Sequence, residues 1–444
     1  MQEFFLPNKD IKNKKTAYIN ARLIDPATGL DINGALLTDG QKIADFGPGL
    51  FSSGVPQGID IIDCKNSVLC PGLLDIQVHF RVPGQEYKED IATGTKAAAA
   101  GGVTTVVCMA NTIPTIDSPD ILTDLYKTIA HEAYVKTYSY AAITMGIQGF
   151  ELTDMQHLKY AGAIGFSDDG KPVMNSLIMR RAMEQAARLG MVIAQHAEDV
   201  NLSDGGCINE GKISRQLRVK GIPNASEAII VERDLLLLEL TGGHYHVLHI
   251  STHQAIDAVR RAKAKGLNVT CEVAPHHFIL TDEAVLASDT MAKMNPPLRT
   301  QKDIDAILAG LKDGTIDAIA TDHAPHDDAS KNVHLSDAAF GIVGLETMLP
   351  LALELYHKKI LSLSEVLAKM TYKAADIIHQ PQLGRLKIGN DADLTILDPD
   401  MKWQISPQEF SSKSKNSPFV EYTSTGRALR TIVRGQTVYK MNLV

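Results

Sequence analysis

Residues 71–84 read PGLLDIQVHFRVPG, and this stretch decides the fold. Pro71-Gly72 breaks the chain, Leu73 to Phe80 is an apolar run of the length of one buried parallel strand, and Pro83-Gly84 ends it. Alternate residues of a strand share a face, so Gln77, His79 and Arg81 are expected to converge at its far end. Two histidines at that spacing would make a metal clamp. Here the first of the pair is glutamine.

Upstream, residues 16–63 alternate short β-type runs with turn signals, as in TAYINARLI, DPATG and GALLTDGQKIADFG, without a helical period. Downstream, β-rich runs alternate with helical segments such as SLIMRRAMEQAARLG and HQAIDAVRRAKAKG. The candidate strands are LLDIQVHF, TTVVCMA (104–110), TYSYAAI (137–143), AIGFSDD (163–169), MVIAQHA (191–197), HVLHIS (246–251), NVTCEVA (268–274) and DAIATDHA (317–324). Eight strands, each followed by a helix or a long connection, predict an α/β chain built on a (β/α)8 barrel of the TIM type rather than an open doubly wound sheet. After the helical SEVLAKMTYKAADIIH (364–379), GNDADLTILDPD and ALRTIVRGQTVYK return to strands and turns. The expected organisation is a β part over 1–68, the barrel over 69–385 and a second β part over 386–444. The two β parts are expected to combine into one small composite β-sandwich.

The 444 residues suit a large domain plus a smaller one. With 44 basic against 52 acidic residues, the net charge is −8 and no basic block offers itself to nucleic acid. The opening MQEFFLPNKDIKNKK is not patterned as a signal peptide, and no apolar run is long enough to span a bilayer. A soluble, cytoplasmic protein without membrane or nucleic-acid partners is expected. The cysteines Cys64, Cys70, Cys108, Cys207 and Cys271 form no CxxC pair and read as reduced core thiols.

A barrel enzyme keeps its site at the C-terminal ends of its strands. There this sequence places His79, Asn111, Asp168-Asp169, His196, His249, and Asp322 with His326. Imidazoles with carboxylates and no thiolates are a ligand set for zinc or a similar divalent ion. Any one of these histidines is by itself more often a core or surface residue. Three of them with two acidic positions at one barrel face are hard to assign to chance. His276 and His277 in APHHF suit packing or outer-shell roles at least as well.

Taken in order, PGLLDIQVHFRVPG, MANTIP, FSDDGKPV, AQHAED, HVLHIST, EVAPHHF, KMNPPLR, ATDHAPH and FGIVGLE resemble the dihydroorotases of the amidohydrolase superfamily, in the bacterial branch whose bridging ligand is an aspartate. The resemblance runs from about residue 70 to 347 and is weaker in the β segments. It implies interconversion of N-carbamoyl-L-aspartate and L-dihydroorotate in pyrimidine biosynthesis, with a small-molecule substrate. The implied metal ligands are His79, Asp169, His196, His249 and Asp322. Asp169 is preferred to Asp168 for its 27-residue separation from His196. Implied substrate contacts are Arg81, Asn111 and His326 around the carboxylate, and Asn295 with the Phe340-Gly341 backbone along the ring amides. A forked guanidinium is well matched to a carboxylate.

Asp322 is the expected acid/base group of a metal-assisted ring hydrolysis. Gln77 is at best a weak ligand, so one tightly bound Zn2+ and a second that is weak or absent are expected. Residues 327–341, DDASKNVHLSDAAFG, read as a lid or as an ordinary surface loop, and the resemblance at Phe340-Gly341 favours a functional loop. Two other readings stand beside this one. The first is a hydantoinase- or allantoinase-like cyclic-amide hydrolase, many of which bridge their metals with a carboxylated lysine where this chain has SDDG. The second is a non-catalytic scaffold partnering aspartate transcarbamoylase, for which Gln77 is the best argument. A homodimer is the default assembly.

Overall fold

The computed structural model describes residues 14–442. The opening MQEFFLPNKDIKN, read above as no signal sequence, lies outside them. All eight expected barrel strands form, in chain order Leu73–Val78, Val103–Cys108, Lys136–Ser139, Gly165–Phe166, Val192–Gln195, His244–Val247, Val269–Val273 and Ala318–Ile319. The first three make one parallel sheet and the last five another. Parallel bridges Ala141–Phe166 and Val78–His323 join the two sheets at both seams. The result is a closed (β/α)8 ring.

Each strand leads into a helix on the outside, from Ile91–Ala100 after the first to Met348–His357 after the eighth. Two apolar clusters follow from this. Leu74, Ile76, Val107, Tyr140, Val192, Ala194, Leu248, Ala318 and Ala320 fill the lumen, closed below by Ala374 and Ile378. Val78, Phe80, Val106, Cys108, Tyr245 and Val247 pack outward under the helices. Alternation of side chains along each strand produces this division.

From Gln77 to Phe80 the first strand alternates as expected, but Leu74 and Ile76 before them also face the lumen, so the phase changes within the strand. Its ladder with the second strand slips between Asp75 and Val78, and pairing stops at Val78 rather than Phe80. Such a bulge adds one residue and re-aims the side chains after it. Gln77 and His79 both reach the site, while Val78 and Phe80 stay in the outer core. Arg81 follows beyond the strand with φ +62°.

The β-sandwich domain is composite. One eight-stranded sheet takes the strands Lys15–Asp25, Leu30–Asp39, Lys42–Gly47, Asp60–Asp63 and Val68–Pro71 from before the barrel and Leu394–Gln404, Thr423–Val433 and Gln436–Lys440 from after it. The junction is antiparallel, with Leu394 opposite Pro71 and Ile396 opposite Leu69. Tyr18, Leu23, Leu36, Leu69, Leu394, Ile396 and Ile432 form its core. Buried Lys136 of the third barrel strand pairs with Asp391 and Asp393, tying barrel to sheet. All five cysteines are buried and unpaired. Among the described residues, no helix is long and apolar enough to cross a membrane.

Candidate active site

The five side chains expected as ligands meet at the C-terminal mouth of the barrel in two groups that share Asp169. His196 Nδ1 and His249 Nε2 lie 2.9 Å apart and 3.6 and 3.5 Å from Asp169 Oδ1. On its other side, Asp169 Oδ2 is 3.1 Å from His79 Nε2, which is 3.1 Å from Asp322 Oδ1. A zinc ion held tetrahedrally at about 2.0–2.1 Å puts its ligand atoms about 3.3–3.4 Å apart. The separations in the two groups, 2.9–3.6 Å, bracket that spacing.

The partners behind two of the imidazoles fix their tautomers. His79 Nδ1 donates to Asn111 Oδ1 at 2.9 Å, which leaves the Nε2 lone pair facing the two carboxylates. His196 Nε2 donates to Glu198 Oε2 at 3.0 Å, which leaves Nδ1 unprotonated toward Asp169 and His249. Lone pairs and carboxylate oxygens converging in a buried space repel one another unless a cation lies among them. This donor set fits a divalent metal. Without one, a proton must substitute: burial alone would lower the pKa of His79, but Asp169 and Asp322 raise it to about 9.

Of the adjacent aspartates, only Asp169 faces the groups. Asp168 accepts the backbone N–H groups of Ile143 and Thr144 at 2.7 and 3.0 Å and the Thr144 hydroxyl, bracing the fourth strand's end against the third's. Gln77 is fully buried; its Nε2 lies 3.5 Å from Asp169 Oδ1, and its Oε1 has no partner. In this rotamer the amide faces the oxygen shared with His196 and His249, and it adds no ligand atom beside His79 and Asp322. The charged carboxylate attracts the N–H2 end of the amide, not its oxygen.

Three residues of the site sit at left-handed backbone angles rare for side-chain-bearing residues: Arg81 at φ +62°, His249 at +32° and Asp322 at +51°. Each costs about 1–3 kcal/mol, held in place by the surrounding packing.

A cavity of about 190 Å³ opens over both groups, and all six expected substrate contacts line it: Arg81, Asn111, Asn295, His326, Phe340 and Gly341. Arg81 Nε donates to the Pro325 carbonyl at 3.3 Å. His326 Nε2 lies 2.8 Å from the Phe340 carbonyl, which can only accept, so Nε2 carries the proton. Its buried Nδ1 has no partner. Asn295 Nδ2 donates to Glu198 at 2.8 Å, leaving its carbonyl free. Gly341 has φ +125°, and a Cβ there would lie 2.5 Å from that of Ala324, so only glycine fits.

The 327–341 segment is tied down from beneath. The Lys331 ammonium is buried and donates to the carbonyls of Thr290, Lys293 and Ala339 at 2.8–3.0 Å. Lys293 donates to Leu335 and Ser336 and lies over the Phe340 ring at 4.4 Å. His277 donates to the Pro296 carbonyl at 2.9 Å and supports that turn.

Sequence reasoning missed Glu198 and Glu272. Glu198 had a legible signal, two residues past His196 in AQHAED. Glu272 projects into the lumen beneath His249, 3.3 Å from the buried His246, and burial pushes its pKa up to about 8. Only its place in EVAPHHF hinted at it.

Residues 66–255 match a model described as dihydro-orotase-like, and residues 240–439 match an amidohydrolase family model. A dihydroorotase of Wolbachia sp. subsp. Brugia malayi is 58% identical over 96% of both chains. This chain belongs to the dihydroorotase family. Other members of it include a dihydroorotase of Ehrlichia chaffeensis, 55% identical over 96% of both chains, and one of Geobacter sp., 49% identical over 94% of this chain and 98% of its own. Among solved structures, an L-hydantoinase from Arthrobacter aurescens superposes with a TM-score of 0.87 over 97% of each chain at 25% identity. A dihydropyrimidinase from Brevibacillus agri gives 0.85 over 96% and 95% at 21% identity, a likeness of fold alone. Membership of the dihydroorotase family brings with it a metal-dependent amidohydrolase site acting on a cyclic amide, and the two ligand groups are where this member would carry the metal.

Proposed function

We propose that the chain is a zinc-dependent dihydroorotase that interconverts N-carbamoyl-L-aspartate and L-dihydroorotate in pyrimidine biosynthesis. The observation carrying this reading is one aspartate, Asp169, presenting an oxygen to each of two ligand groups beside a pocket lined by Arg81 and His326. When bound, the metal supplies Lewis acidity, polarising a carbonyl and making water nucleophilic near neutral pH.

The chain's own groups do the rest. Arg81 pairs with the free carboxylate of the substrate, helped by Asn111 and His326, and so fixes which face of the ring meets the metal groups. Asn295 and the Phe340-Gly341 backbone hold the ring amides. The attacking water adds to the ring carbonyl derived from the aspartate side chain, and Asp322 takes its proton. As the ring C–N bond breaks, Asp322 delivers that proton to the departing nitrogen, and the second water proton leaves with the new carboxyl group. Cyclisation reverses these steps.

Asp169, His196 and His249 would hold a metal tightly, because Glu198 orients His196 from behind. His79, Asp169 and Asp322 would hold a second one only weakly, because Gln77 offers a neutral amide where a second imidazole would serve. The hydantoinase reading has less support: its named relatives are matched at 19–25% identity, and among the described residues no lysine lines the cavity.

The test is turnover by the purified, zinc-loaded chain in both directions, with hydantoin and allantoin as competing substrates and zinc measured on the same sample. Dihydroorotate turnover at about one zinc per chain is expected. No turnover with zinc bound points instead to a scaffold, and preference for hydantoin to a hydantoinase. Sedimentation alone and with aspartate transcarbamoylase tests the two expected partners.

A further inference from the structure

Residues 411–417, SSKSKNS, leave the β sheet and lie across the barrel's catalytic end. The sequence assigns them no role; they carry no periodicity and sit in the second β part. Their polar atoms are spent on loops that carry substrate contacts. Ser412 Oγ and the Lys413 N–H bond the buried carboxylate of Glu89, and Ser414 Oγ bonds the Lys88 carbonyl at 2.6 Å, which holds the loop after Arg81. Ser411 and Ser412 N–H groups bond Glu346 at 2.8 and 3.3 Å.

Asn416 is the centre of this segment and is buried. Its Oδ1 accepts the backbone N–H of His326 at 3.1 Å. Its Nδ2 donates to the carbonyls of Ala324 and Gly341 at 3.2 and 3.0 Å. Its own carbonyl accepts the Val343 N–H at 2.9 Å. One amide thus clamps the turn that carries His326 to the turn that carries Phe340-Gly341. Both carbonyls it holds flank a close contact that only Gly341 permits. No other side chain joins these two turns by as many bonds among the described residues.

We propose that Asn416 is a positioning residue that presets the substrate-carboxylate pocket, acting through His326 and the Phe340-Gly341 backbone without touching substrate. This rests on the dihydroorotase reading. An asparagine is required, because the position needs one acceptor and two donors in a fixed plane. Alanine supplies none of these. Aspartate keeps the acceptor but sets a charge against two carbonyls.

The experiment compares wild type, Asn416→Ala and Asn416→Asp for kcat, KM, inhibition by orotate, zinc content and melting temperature. Loosening the pocket without touching the metal groups raises KM for dihydroorotate and the orotate inhibition constant by roughly tenfold, with kcat within about threefold of wild type. Zinc content is expected unchanged. If KM and orotate inhibition stay at wild-type values, the clamp does not set the pocket and the proposal fails. It fails equally if kcat, KM and zinc content collapse together, or if neither variant folds, since either result means a general structural role. Wild type that binds zinc but never turns over dihydroorotate sinks the underlying reading instead, a result distinct from all of these.

Discussion

The two sides of Asp169 are built from the same materials and finished differently. Toward His196 and His249, the ligand atoms are backed by Glu198, which fixes the His196 tautomer and is itself held by Asn295. Toward His79 and Asp322, Asn111 fixes one imidazole, but the place a second imidazole would take is filled by Gln77, whose amide nitrogen turns to Asp169. On the proposed reading, the first side would hold the ion and the second would move the proton. A metal site is therefore graded by what stands behind and between its ligands, not by ligand count alone.

The largest expected effect lies on the second side. Asp322→Asn keeps the size and one oxygen of the side chain but cannot take a proton, so kcat should fall by about 10²–10⁴-fold, the usual worth of a general acid/base. Zinc at the first side should stay in place, since Asp322 takes no part there. Loss of both turnover and all zinc would mean that the two sides are not separable. Near-normal kcat would remove Asp322 from the chemistry.

Metal removal sharpens the contrast next. With no ion present, the proton on His79 offsets the facing carboxylates of Asp169 and Asp322, and its pKa stands near 9 instead of 6.5. A raised pKa contributes stability that is complete below pH 6.5 and lost as pH rises through 9. The metal-free protein should therefore lose on the order of 3 kcal/mol across that window, while the zinc-loaded protein should not. Denaturant titrations of both forms at pH 6 and pH 9.5 measure this. Parallel behaviour of the two forms would mean that His79 does not face the metal.

Glu198→Gln probes the better-finished side. His196 and Asn295 both donate to Glu198 Oε2, so a glutamine can accept both through its one oxygen but no longer sets a carboxylate charge behind the His196 ring. Zinc affinity should weaken by about 10–100-fold, the usual cost of losing an outer partner. Competition with a chelator reads it directly. Unchanged affinity would leave the tight site resting on its three ligands alone.

The barrel was legible because its strands lie in short, mostly apolar runs separated by helical segments, with histidines and aspartates gathered just past their C-terminal ends. That same regularity located His79, His196, His249 and Asp322, since a strand end is a place that sequence can define. What was not legible depends on local breaks and on distant chain. The slip between Asp75 and Val78 leaves no mark in LLDIQVHF, yet it decides how Gln77 and His79 reach the site. Asp168 and Asp169 are indistinguishable by pattern; the bonds of Asp168 to Ile143 and Thr144 separate them. Asn416 reaches the pocket from 90 residues beyond His326, in a polar stretch with no period to read.

The smallest expected effect tests the difference between the two sides most directly. Gln77→His puts an imidazole at the end of the slipped strand, where the amide nitrogen now faces Asp169 at 3.5 Å. An imidazole offers a basic nitrogen lone pair in place of a neutral amide, so the group at His79, Asp169 and Asp322 gains a fourth good donor. Zinc content after dialysis should rise from about one toward about two per chain, with kcat changing little, because Asp322 already has its place. If the variant still holds a single ion, the weakness of that side does not lie in residue 77 but in the backbone that sets His79 and Asp322. If wild type already holds two ions through dialysis, the asymmetry itself is wrong, and Gln77 ligates in a rotamer that turns its oxygen inward.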